Sequence, residues 1–128
     1  MPPAALPECP LTVIDAGQET PAHVTGLLGT GLTVFCFTDD AKVPAQVAAF
    51  ADTMEVRSIS LTVMPLARKR PSDATSRCAW DPTGRLFGMY GAAPGTVYLA
   101  RPDGHVLGRW QVPEAEQLSA AVAHLLHS

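Results

Sequence analysis

GAAPGTVYLARPDGHVLGRW, residues 91–110, reads as two strands folded about a turn and introduced by a proline. Thr96–Ala100 and His105–Trp110 are the strands. Between them, Arg101-Pro102-Asp103-Gly104 sets a proline that fixes φ ahead of a glycine that accepts positive φ. Strands joined so closely run antiparallel. Whether they extend a larger sheet depends on what stands on either side.

After the hairpin, Pro113 opens a helix with Glu114 and Glu116 in its positive first turn and Leu118, Val122, Leu125 and Leu126 on its buried face. Before it, Asp81-Pro82 offers a cap and a proline at the first helical position. Leu86, Phe87 and Tyr90 then form a stripe that Gly91 closes. Further upstream, Arg57–Leu66 alternates Ile59, Leu61 and Val63 with Ser58, Ser60 and Thr62, which predicts a strand near the sheet edge. The helix preceding it carries Val47, Phe50, Ala51 and Met54 at i, i+3, i+4 and i+7. Leu32-Thr33-Val34-Phe35-Cys36-Phe37 is a continuous apolar run, suited to a strand covered on both faces. Thr38-Asp39-Asp40 ends it and offers N-cap oxygens to the next helix.

Nearer the start, Val24, Leu27 and Leu28 predict a short helix over Pro21–Leu28, closed by Gly29-Thr30-Gly31. Leu11–Ile14 is a short strand. Residues 1–10, with four prolines, form an extended or poorly ordered leader to a single domain over 11–128. The order is β-α-β-α-β-α-β-β-α: an α/β class with a mixed central sheet and helices on both faces. This is the order of a thioredoxin-like fold.

The 128 residues make one ordinary domain, burying roughly two thirds of the unfolded surface. Hydrophobic residues are 47% and charged ones 16%, so a packed core is easily supplied. A net charge of −3 argues against a nucleic-acid module, which usually carries a basic face. The one basic cluster, Arg68-Lys69-Arg70, reads as a solvated loop running to Ser76. No apolar run reaches the ~20 residues of a membrane span, and the start lacks the features of a secretory signal. A cytoplasmic protein is the expectation.

The residues of the hairpin carry a resemblance. Gly91–Leu99, with Pro94-Gly95 ahead of the strand, followed by Arg101-Pro102-Asp103-Gly104-His105-Val106 and Arg109-Trp110, resembles the C-terminal thioredoxin-like domain of FAD-dependent aromatic-ring hydroxylases, of the phenol and hydroxyphenylpropionate hydroxylase type. Leu27–Val34 is similar to that domain's first core strand and its lead-in. The resemblance spans roughly residues 8 to 127, with the hairpin as its specific part. It implies that Pro94 stands where thioredoxin folds carry a cis-proline. It also implies that FAD is bound outside these residues, by a flavin-binding catalytic domain of the same enzyme or a second subunit, with a homodimer as a further possibility.

This chain departs from redox-active relatives in one loop. A thioredoxin keeps its thiol pair after the first core strand; here that position reads Thr38-Asp39-Asp40-Ala41. Without a thiolate, disulfide exchange has no chemical agent. Thr38, Asp39 and Asp40 therefore form a vestigial active-site loop. The glycines Gly26, Gly29 and Gly31 precede a strand and have the wrong spacing for a dinucleotide fingerprint. No cofactor site is expected in this chain.

Other groups admit chemistry. Cys9, Cys36 and Cys78 are an odd set without a C-x-x-C pair, fitting neither a disulfide framework nor a zinc site. Cys36 lies inside an apolar strand, whereas Cys78, among polar residues, is the candidate reactive thiol, and a Cys9–Cys78 bridge stays open. His124 and His127 sit one turn apart at the end, a spacing able to share a metal, though surface histidines are the simpler reading. His105 belongs to the turn chemistry with Asp103. Asp39 and Asp40 are an acid–base pair or mere caps. Trp80 and Trp110 read as core or interface anchors. Three functions follow: a redox-inactive module of a flavin monooxygenase, a one-cysteine thiol protein using Cys78, and a free-standing interaction module.

Overall fold

The computed structural model describes residues 5–71 and 77–126, with side chains described through His124. Seven strands are present: β1 Pro10–Asp15, β2 Gln18–His23, β3 Leu32–Thr38, β4 Leu61–Ala67, β5 Cys78–Trp80, β6 Thr96–Ala100 and β7 Val106–Gln111. They form one sheet in the order β2-β1-β5-β4-β3-β6-β7. The β3–β4 and β4–β5 pairs are parallel and the others antiparallel, so the sheet is mixed, as expected. The helices are α1 Ala45–Val56, α2 Leu86–Tyr90 and α3 Ala115–Leu126.

Every residue of β3 is buried, because alternate side chains serve two cores. Leu32, Val34 and Cys36 meet Val47, Phe50 and Met54 of α1 and Leu118 and Val122 of α3. Phe35 and Phe37 point the other way, among Val24, Leu27, Leu86, Tyr90 and Tyr98. The stripes of α1 and α3 thus face the sheet at the positions their periodicity assigned, as far as the described side chains go. Ser58 takes φ 59°, and the Ile59 amide returns to the Met54 carbonyl at 2.9 Å, which closes α1.

Four elements differ from their sequence reading. Gln18–His23 is a strand rather than the start of a helix, and only a single 3-10 turn, Val24–Leu27, follows it. Its residues are almost all exposed, so it carries no apolar period to read. The β4 strand lies in the middle of the sheet, not at its edge, because the short β5 and then β1 are laid beside it. Its Pro65 lacks a ladder donor, and pairing with β5 begins one residue later, at Leu66. Pro44, not an Asp, occupies the cap position of α1, and no side-chain oxygen caps that helix. Finally, α2 starts at Leu86, well after Pro82.

From Ala5 onward, the segment read as a leader lies against the sheet. Ala5 bridges to His105, the Leu6 amide donates to the Gly104 carbonyl at 3.0 Å, and Leu6 and Cys9 are buried in the core. Residues 72–76 of the polar loop and His127 lie outside the described residues. No helix among the described residues is long and apolar enough to cross a membrane.

Candidate functional site

The C-terminal ends of β3 and β4 and the loop entering β6 meet at one end of the sheet, where α/β proteins of this construction place their sites. The loop after β3 is held by its own polar groups. Thr38 Oγ1 accepts from the Ala41 amide at 2.7 Å, and Asp40 Oδ1 accepts from the Lys42 amide at 3.1 Å. Ala41 is thereby fixed at φ 64°, a conformation with a cost for any residue bearing a Cβ. The two carboxylates do not face one another as an acid–base pair. Asp39 turns instead to Arg68, whose Nε stands 3.6 Å away, while Asp40 stays with Lys42.

Arg68 is the residue that sequence reading missed. The start of the basic cluster donates its amide to the Thr38 carbonyl at 3.0 Å, and its guanidinium lies over the Phe87 ring at 5.2 Å from the centroid. Arg70 is paired as well, making two hydrogen bonds to Glu19 at 3.1 and 2.8 Å. Two of the cluster's three cations are thus paired with carboxylates. Nothing in the local sequence signals either contact, because both partners are distant in the chain.

Pro94 and Gly95 lie beside the end of β3, where Gly95 bonds to Phe37. No cis peptide bond occurs among the described residues, so the Ala93–Pro94 bond is trans, contrary to what the family resemblance implied. The loop is laced to its surroundings without that isomer. Gly95 donates its amide to the Phe37 carbonyl at 2.8 Å, and the Val112 amide donates to the Gly95 carbonyl at 2.8 Å. Gln111 Nε2 donates to the Pro94 carbonyl at 2.9 Å, and Thr96 Oγ1 accepts from the Ala93 amide at 3.0 Å. Gly95 has φ 99°, and a Cβ there would lie 2.9 Å from Val112 Cγ2, so glycine is required. Val112 itself has φ 48°, unusual for a β-branched residue, and is 59% exposed.

Beneath Arg68 lies a cavity of about 50 Å³ lined by Ala67, Arg68, Asp81, Gly84, Leu86 and Phe87. It has room for water and not for an aromatic cofactor. A wider groove of about 330 Å³ runs beside α1, with Asp52 and Glu55 on its wall, where two carboxylates repel any phosphate. Asp81 anchors the smaller cavity. Its carboxylate accepts from the Thr83 amide and hydroxyl at 2.8 and 2.7 Å and from the Arg85 and Leu86 amides at 2.8 and 2.9 Å. The cap read from Asp81-Pro82 is therefore a hub that organises the whole turn from β5 into α2.

All three cysteines are free and buried. Cys78 is not in the polar loop; it opens β5 opposite Ile14 with 1% exposure. Burial pushes its thiol up, and pushes the Cys36 thiol up to about 12. Cys9 is raised by burial and then by the Asp81 carboxylate, 3.7 Å from its sulfur. A thiol so placed is mostly protonated at neutral pH and a poor nucleophile.

The turn reads as expected, with Gly104 at φ 88° and its amide donating to the Arg101 carbonyl at 2.9 Å. It is the backbone amide of His105, not the imidazole, that meets Asp103, at 3.1 Å. Trp110 packs against Gly108 as a half-buried anchor, so close that a Cβ there would lie 2.5 Å from the ring.

No protein-family model matches the chain, and no curated protein matches it. Solved structures do. The flavin-dependent monooxygenase PieE, in complex with FAD and substrate, is similar with a TM-score of 0.71 and 22% identity over 98% of this chain and 20% of its own. Aklavinone-11 hydroxylase, in a ternary complex with FAD and aklavinone, gives 0.69 and 19% over 97% of this chain and 21% of its own. Reduced 2-Cys peroxiredoxin from Plasmodium vivax gives 0.68 and 12% over 96% of this chain and 95% of its own. The fold is thioredoxin-like. The chain spans about a fifth of the two flavoproteins' length.

Proposed function

We propose that this chain is a redox-inactive, thioredoxin-like module of an FAD-dependent aromatic-compound monooxygenase, acting in structure or subunit association. One observation carries the reading: the loop that would hold a nucleophilic thiol is occupied by Thr38, Asp39 and Asp40, locked to the Ala41 amide, Arg68 and the Lys42 amide. Two likenesses support it, both to flavin-dependent enzymes in which this fold is one region of a larger chain. In that setting the flavin and the aromatic substrate are held by residues outside this chain. The partner is a flavin-binding catalytic body, covalently continuous or as a second subunit. Three unpaired cysteines suit a reducing compartment, and the reading places the module in the cytoplasm.

The test is a titration of the purified chain with FAD, followed by flavin absorbance and fluorescence. The expected result is unchanged flavin spectra at concentrations well above those that saturate flavoenzymes. Tight, stoichiometric flavin binding by these 128 residues overturns the reading.

A further inference from the structure

We propose that residues 5–9 act as a clasp that locks the Ala92–Gly95 loop from behind, so that release of the clasp loosens that loop while the central sheet stays intact. The proposal is independent of the monooxygenase reading. Its basis is a continuous path of hydrogen bonds and packed rings.

At one end, the Tyr90 hydroxyl donates to the Pro7 carbonyl at 2.6 Å. The same clasp is pinned by the Leu6 amide on Gly104 and by Glu8, which accepts from the Thr25 hydroxyl. Tyr90 is the last residue of α2, and its carbonyl accepts from the buried Tyr98 hydroxyl at 2.7 Å. The two rings meet edge to face, with centroids 5.2 Å apart. Arg109 stacks over Tyr98 at 5.6 Å and donates to the Gly91 carbonyl. Gly91, left-handed at φ 57°, turns the chain directly into Ala92, Ala93 and Pro94. At the far end, Gly95 hangs on the Phe37 carbonyl.

The loop therefore has two supports, one from β3 and β7 and one relayed from the clasp. Tyr90 carries the relay: its hydroxyl holds the clasp, and its backbone leads into the loop. Local openings of this kind lie below the global unfolding energy and are read amide by amide.

Native-state hydrogen exchange on the full chain tests this, comparing wild type with Tyr90→Phe and with Leu6→Ala. The first removes one hydroxyl and keeps the ring; the second loosens the clasp from its apolar side. Both variants are expected to speed exchange roughly five- to tenfold at the Leu6, Ala93 and Gly95 amides, the loss of one buried hydrogen bond or its equivalent. The Val34 and Phe35 amides of β3 are expected to keep their wild-type rates. Faster exchange at Leu6 with Ala93 and Gly95 unchanged shows a clasp without a relay and overturns the proposal. A uniform increase across β3 as well shows plain destabilisation and overturns it too. So does the absence of any change in both variants.

Discussion

Phe37→Ala is expected to lower stability by about 4 kcal/mol, the cost typical of deleting a fully buried aromatic ring. Phe37 has no exposure and sits at the centre of an aromatic group, 5.1 Å from Phe87, 5.4 Å from Tyr90 and 5.7 Å from Tyr98 by ring centroids. Three elements meet on it: β3, α2 and β6. The rings around the void are large and fixed at their far ends, Tyr90 on Pro7 and Tyr98 on Tyr90, so the cavity cannot readily collapse. Urea unfolding measures the effect as a lower midpoint at unchanged slope. Phe37→Leu, which keeps most of the volume, is expected to cost about 1–2 kcal/mol. A loss below 2 kcal/mol for the alanine variant contradicts the packing described.

Asp81→Asn is expected to cost about 3 kcal/mol at neutral pH, since the amide cannot accept from every donor the carboxylate serves and leaves at least one buried amide unpaired. For a chain of this size that is a fall in Tm of about 10 °C. The effect has a pH signature. Burial raises the Asp81 carboxyl, but hydrogen bonds from the Thr83 side chain and backbone and from the Arg85 and Leu86 amides outweigh it, leaving it below the ordinary aspartate value. A carboxyl depressed in the folded state binds fewer protons there than in the unfolded chain. Its stabilisation is therefore complete above about pH 4 and is lost as pH falls through the depressed value. The gap between wild type and variant should narrow below pH 4, as followed by thermal melts from pH 7 to pH 2. A gap independent of pH contradicts the assignment.

The hairpin was legible because its signals are local: a proline, a glycine at φ 88° and flanking β-branched residues lie within a few positions. So were α1 and the described part of α3, whose apolar residues recur at the helical period. Elements that owe their existence to distant neighbours were not. β2 is a polar edge strand held by β1, and β5 has only three residues, too few to show a period. Missing both, the sequence reading put β4 at an edge, although β5 and β1 stand beyond it. The burial of Cys78 follows from β5 and was hidden by polar residues around it.

For the candidate site the same division holds. The absence of thiols at Thr38-Asp39-Asp40 is a property of composition and is read directly. The position of Arg68 over Phe87 and beside Asp39 comes from the packing of β4 against β3 and α2, which no local pattern encodes. The trans bond before Pro94 fits a loop whose shape is set by Gly95, Gln111 and Phe37 through the hydrogen bonds they make.

The central claim, a thioredoxin-like module without thiol chemistry, is tested most directly by the reactivity of its sulfur atoms in the native state. The folded chain is mixed with a chromogenic aromatic disulfide at neutral pH, and separately with hydrogen peroxide or a disulfide substrate plus a dithiol reductant. The account predicts that Cys9, Cys36 and Cys78 react at least ~100-fold more slowly than in the unfolded chain, at the rate the fold opens. It also predicts no turnover above that of the reductant alone. A thiol that reacts in the folded state as fast as free cysteine, or any sustained turnover of peroxide or disulfide, contradicts it.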